Sequence, residues 1–105
     1  VRGLSITAFT HHGLRLSTNA ANCTVQGCFL GIKPDGMTAK SNGDGILVEG
    51  DTNTIGGDVQ GQGNLISGNV AAGIRVAGSG FGNQIRGNWI GVAVDGQTLR
   101  PNRTG

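Results

Sequence analysis

The chain is 105 residues long, contains 21 glycines but only two prolines, and carries a formal charge of +2 at pH 7. This length supports at most one domain, the lack of a Gly-X-Y period excludes collagen, and scattered lysines and arginines predict no nucleic acid partner. No apolar stretch approaches the ~20 residues that cross a bilayer, so we expect no membrane span.

The predicted elements, in chain order, begin with a strand within 1–6 and then recur as copies of one unit. Residues 13–45 align with residues 73–105 without a gap. Identical pairs in this alignment include Gly13/Gly73, Asp35/Asp95 and Asn42/Asn102. Such self-similarity predicts a repeat architecture, in which each unit buries its apolar face against its neighbours. We therefore expect one module over 1–105.

Three families of short apolar segments follow one another in each unit: 13–16, 45–48 and 73–76; 23–27, 53–57 and 83–87; and 28–31, 64–67 and 88–91. Because alternate residues of a strand share a side, the aliphatic residues at alternate positions of each segment should share one face and stack. The predicted columns are Leu14–Ile46–Ile74, Val25–Ile55–Ile85 and Leu30–Ile66–Ile90. Strands that recur in one direction pair in parallel. The sequence thus predicts an all-β parallel β-helix (a solenoid) of about three and a half turns, with three short strands per turn.

Loops are predicted over 32–44, 58–63 and 92–104, between members of these families. The first and third contain matching Asp-Gly turn signals. We expect them to project from the same corner, two turns apart, and the 58–63 loop to project from a different corner. The glycine-rich run 78–82 is predicted as a corner turn.

Asparagines stand at the predicted corners, at Asn53, Asn64, Asn83 and Asn88. Because a buried amide must be hydrogen-bonded, we predict that these side chains stack as structural ladders; the alternative is a polar ligand site. Asparagine also tolerates the left-handed backbone of a sharp corner. Cys23 and Cys28 occupy the same positions in an earlier turn, where we predict small buried thiols rather than a disulfide or a metal site.

The pattern Asn-x-Ile-Gly-Gly, Gly-Asn-Leu-Ile-Ser-Gly-Asn, Gly-Ile-x-Val, Asn-x-Ile-x-Gly-Asn-x-Ile-Gly over 53–91 resembles the right-handed parallel β-helix repeats of pectin-lyase-like proteins. The likeness extends over essentially all of 1–105 and is greatest to bacterial secreted or cell-surface proteins built from many such units. It implies a right-handed coil, an extracellular location and polysaccharide as a partner class. The fold itself hosts lyases, hydrolases, epimerases, adhesins and spacers. Leu4, Cys23 and Cys28 depart from the pattern, which has asparagine there.

The acidic residues number only six: Asp35, Asp44, Glu49, Asp51, Asp58 and Asp95. Polysaccharide-active enzymes that this chain resembles gather carboxylates with Arg, Lys or Ca²⁺ on one outer face, and hydrolysis needs a pair ~5–9.5 Å apart. Turn and solubility roles account for all six, so we predict no catalytic residue, metal site or cofactor. His11 and His12 are adjacent on a predicted strand and diverge, which argues against a two-histidine site.

An apolar stripe is predicted on the outside of the third family, where Phe29, Leu65 and Trp89 are aligned. Exposed stripes of this kind usually mark a contact. Three occupants fit: a sugar ring stacked on Trp89, a lateral protein partner, or a loop of the same chain.

The two ends of the stack present unpaired strands, because 1–6 opens on a strand and Gly105 aligns with the glycines that open new turns. Either the stack is cut from a longer helix, or copies associate head to tail, which generates filaments. Three functions follow: a structural or adhesive module of a secreted or surface protein, a fragment of a polysaccharide-active enzyme, and a carbohydrate-binding module that uses Trp89 and the long loops.

Overall fold

The computed structural model describes residues 1–78 and 80–105, which form ten short strands. Ser79, in the glycine-rich run predicted as a turn, lies outside the described residues. No helix long and apolar enough to cross a membrane occurs in these two ranges. The strands are β1 (Ser5–Ile6), β2 (His12–Leu16), β3 (Thr24–Val25), β4 (Phe29–Leu30), β5 (Asp44–Val48), β6 (Thr54–Gly56), β7 (Leu65–Ile66), β8 (Ile74–Val76), β9 (Gln84–Arg86) and β10 (Trp89–Ile90).

The strands form three sheets, and every pairing between them is parallel. Sheet I has the order β1-β4-β7-β10, sheet II the order β2-β5-β8, and sheet III the order β3-β6-β9. The chain therefore visits the three sheets in rotation and returns to each one strand further along. This confirms the prediction of an all-β chain with recurring parallel strands, and the layout is compatible with a parallel β-helix.

The three predicted columns of inward aliphatic residues are present in the observed register. Leu14 pairs with Ile46 and Ile46 with Ile74 in sheet II. Sheet III aligns Val25, Ile55 and Ile85, and sheet I aligns Leu30, Ile66 and Ile90. The middle members of these columns are fully buried. A narrow aliphatic core between three sheets accounts for the small number of aromatic residues.

Five of the six predicted ladder residues, all except Asn64, follow a residue with a left-handed backbone. Thr52, with φ of 56°, precedes Asn53, and Asn22, with φ of 59°, precedes Cys23. Gly87 has φ of 66°, and a Cβ there would lie 2.0 Å from a backbone oxygen of Gly57 in the preceding turn. The expectation that the ladder asparagines themselves adopt this conformation is wrong, because their side chains reach the preceding turn only after the bend.

Candidate functional site

The predicted apolar stripe is one column of aligned side chains on sheet I. Phe29 pairs with Leu65, and Leu65 pairs with Trp89. Trp89 is 51% exposed and Phe29 is half-buried, whereas only 4% of Leu65 is exposed. The prediction of an exposed Leu65 is therefore wrong, since this side chain lies between two larger neighbours and beside the 57–63 loop.

A groove of about 520 Å³ follows this column. Its apolar lining comes from the column and from one exposed valine on each of two loops, Val59 and Val94. Asp58 and Gln60 add polar side chains. Such a surface can contact the flat face of a ring while the polar groups bond to its substituents.

The 57–63 loop, one wall of the groove, is held by Gln62. The Gln62 side-chain oxygen accepts a hydrogen bond from the Val59 backbone N–H at 3.1 Å, and the Gln62 N–H donates to the Val59 carbonyl at 3.0 Å. Asp58 forms an ion pair of 3.0 Å with Arg86 on β9. The loop is therefore tied both to itself and to sheet III.

The 92–100 loop packs against the indole of Trp89. A Cβ on Gly96 would lie 3.1 Å from two ring carbons, so the backbone of the loop touches the ring. Asp95 fixes this turn by accepting hydrogen bonds from the Thr98 hydroxyl and from the N–H groups of Thr98 and Gln97. These bonds, the one from the hydroxyl first, lower the pKa of Asp95 to about 2.

The two long loops contact each other, although their strands are separated by β7. The Val94 N–H donates to the Gly36 carbonyl at 2.8 Å, and Arg100 Nε donates to the Met37 carbonyl at 2.7 Å. The intervening turn passes this corner with only a short bend, where the Gly68 N–H donates to the Arg100 carbonyl at 2.7 Å. The loops thus form one ridge beside the groove.

Asparagine side chains form hydrogen-bonded ladders at the corners before sheets I and III. Asn53 Oδ1 accepts from the Cys23 N–H at 2.9 Å, and Asn83 Oδ1 accepts from the Asn53 N–H at 2.8 Å. At the other corner, Asn64 and Asn88 accept in the same way from Cys28 and Asn64. Cys28 is buried and Cys23 half-buried, and both are free thiols. These contacts describe internal supports rather than an open ligand site.

A third ladder, before sheet II, was missed by sequence reasoning. Asn42, Asn69 and Asn102 accept hydrogen bonds from the N–H groups of Phe9, Asn42 and Asn69 at 2.9–3.1 Å. The available signal was the identity of Asn42 and Asn102 in the aligned halves of the chain. Asn69 lies in a turn that lacks the long loop, so the ungapped alignment of 13–45 with 73–105 does not include it.

The acidic residues are each engaged within the chain rather than gathered at one place. Their partners are Thr38 for Asp35, Arg75 for Asp44, Arg15 for Glu49, Phe81 N–H for Asp51, Arg86 for Asp58 and Thr98 for Asp95. In the described ranges, no three His, Cys, Asp or Glu side chains lie close enough to hold a metal ion.

Asp44 is the one buried carboxylate in this set. Two nitrogens of Arg75 donate to it at 3.1 Å, and this hydrogen bonding is the main cause of its lowered pKa. His12 Nδ1 lies 3.3 Å from Asp44 Oδ2, the oxygen that also accepts from Arg75 Nε, and the Ala72 N–H donates to Asp44 Oδ1. Asp44 on β5 therefore lies between His12 on β2 and Arg75 on β8, the three strands of sheet II.

No family model, no curated protein and no solved structure matches this chain.

Proposed function

We propose that this chain is a right-handed parallel β-helical module with a structural or adhesive role in a secreted or cell-surface protein. The observation that supports it is the continuity of the three sheets and the three asparagine ladders through successive turns. Apart from the contact between the two long loops, each turn bonds to the turns on either side, so turns can add length to the stack. The resemblance to bacterial surface repeats supports the handedness and the extracellular location.

Insertion of one extra turn tests the module. A second copy of 45–72 placed after Ala72 restores the local sequence at both junctions, since Gly45 and Gly73 begin equivalent turns. We expect a folded chain that resists urea better than a chain with a scrambled insert, because the inserted turn contributes its own buried column. Both inserts lose the contact between the two long loops and the Asp44–Arg75 pair. A scrambled insert of the same composition is the control. Equal loss of stability with both inserts would exclude a modular stack.

A second candidate function, carbohydrate binding, is favoured by the groove that exposes Trp89. An aromatic ring beside polar groups is a suitable surface for a sugar. Binding on a glycan array should be lost in Trp89→Ala and retained in Phe81→Ala, which removes another exposed aromatic side chain outside the groove. Equal binding by both variants and the parent would place any glycan contact elsewhere.

The module proposal also allows copies to associate end to end, because β1, β2 and β3 lie at one edge of the sheets and β8, β9 and β10 at the other. Light scattering over a range of concentrations measures this association. A mass that stays at one chain throughout would exclude filaments of this chain alone.

A further inference from the structure

The face formed by β8, β9 and β10, here called the C-terminal face, is open. Val76, Ile85 and Ile90 are 50%, 41% and 37% exposed, whereas Val48, Ile55 and Ile66, their register partners in the preceding turn, are 0% exposed. At the opposite end of the stack, Leu16 is 6% and Val25 0% exposed and Ile6 is half-buried, although Leu4 and Phe9 on that end are 53% and 57% exposed. The two ends therefore differ.

The opposite face, here called the N-terminal face, is covered in part by the first residues of the chain. The Gln26 N–H donates to the Val1 carbonyl at 2.9 Å, and the amino group of Val1 donates to the Thr24 carbonyl at 2.7 Å. Residues 1–3 thus run along β3 and its end, where they shield Val25 from solvent.

The asparagine ladders have a direction. In each of them, the side-chain oxygen accepts from a backbone N–H of the preceding turn and the side-chain nitrogen donates to a carbonyl of that same turn. Asn64, for example, accepts from Cys28 and donates to Val25 at 2.9 Å. Asn69 accepts from Asn42 and donates to Leu30. Each ladder asparagine therefore hydrogen-bonds to backbone groups of the turn before it.

This direction defines what the C-terminal face lacks. The Ile55 carbonyl accepts from Asn88, and the Ile66 carbonyl accepts from Asn102. Ile85 and Ile90 are the register partners of these two residues in the last turn. A further turn would complete the same pattern only if it brought asparagines at the equivalent corners.

We propose that the C-terminal face binds a parallel-strand turn that carries an inward asparagine at each of its three corners; this rests on the proposed role as a repeat module. The N-terminal face of a second copy is a poor match, because it presents Leu4, Phe9 and Cys23 at those corners. None of these side chains has an amide. A turn that bears asparagines therefore fits this face better than a second copy does.

The test appends to Gly105 the chain's own residues 46–72, which contain Asn53, Asn64 and Asn69. A matched chain carries alanine at these three positions of the appended copy. We expect the asparagine form to raise the midpoint of thermal unfolding by about 5 °C over the parent, and the alanine form to raise it little or not at all. Emission of the single tryptophan, Trp89, should shift to shorter wavelength only in the asparagine form, because the appended copy of Leu65 would cover the indole.

Two results would overturn the proposal: equal midpoints and equal emission for the two extended chains, or self-association of the parent chain that Ile85→Asp abolishes. The appended-turn test and the internal-insertion test can give different results, so each proposal can fail without the other. If the internal extra turn is tolerated but the appended asparagines have no effect, only the preference of the C-terminal face is wrong.

Discussion

Asn64 accepts a hydrogen bond from the Cys28 backbone N–H at 2.9 Å across two successive turns, with both residues buried. The same side chain donates to the Val25 carbonyl. One amide therefore satisfies two backbone groups that water cannot reach.

Substitution of Asn64 by alanine should lower the free energy of unfolding by about 3 kcal/mol, because it leaves a buried donor and a buried acceptor without partners. Urea unfolding monitored by circular dichroism measures this loss. Asn19→Ala, at an exposed turn position outside the ladders, should change stability by no more than about 0.5 kcal/mol. Equal effects of the two substitutions would show that the ladder does not stabilise the fold.

Cys28 fills an asparagine position, and substitution by asparagine should be tolerated. The introduced amide oxygen would face the Leu4 N–H, since Leu4 and Cys28 each precede paired strand residues of sheet I. We expect the free energy of unfolding to stay within about 1 kcal/mol of the parent. Cys28→Leu, which has nearly the same shape as the asparagine variant but no amide, should be the less stable of the two. Greater stability of the leucine variant would contradict the role of this position.

Thr52 is a β-branched residue with φ of 56°, a conformation that costs an L-residue ~1–2 kcal/mol. Thr52→Gly should therefore raise the free energy of unfolding by about 1 kcal/mol. Thr54→Gly, in the neighbouring strand β6, is the control and should lower it by a similar amount. Destabilisation by Thr52→Gly, measured by urea unfolding, would mean that the side chain contributes more than the strain costs.

Periodicity explains which features could be predicted from the sequence. The aliphatic columns follow from strand parity and from the repeat, and the predicted column Leu14–Ile46–Ile74 is confirmed by the observed register. Leu65 has the same parity as its column neighbours, but its burial depends on the path of the 57–63 loop, which no repeat specifies. Asn69 was missed for a related reason, because the length of the corner before it differs from that in the two turns with long loops.

Asp95 should titrate well below an ordinary aspartate, because the Thr98 hydroxyl and two backbone N–H groups bond to its ionised form and lower its pKa from 3.8 to about 2. Since the pKa in the folded chain lies below that of the unfolded chain, the stabilisation of the turn is complete above pH 3.8. It is lost as the pH falls through about 2.

Thr98→Val removes the largest cause of the lowered pKa and should move the pKa of Asp95 upward toward 3.8, as followed by NMR of its carboxyl carbon. Thr38→Val should shift Asp35 in the same way and leave Asp95 unchanged, because each threonine bonds only within its own loop. An Asp95 carboxyl that titrates near 3.8 in the parent chain would show that this turn does not hold its carboxylate in solution.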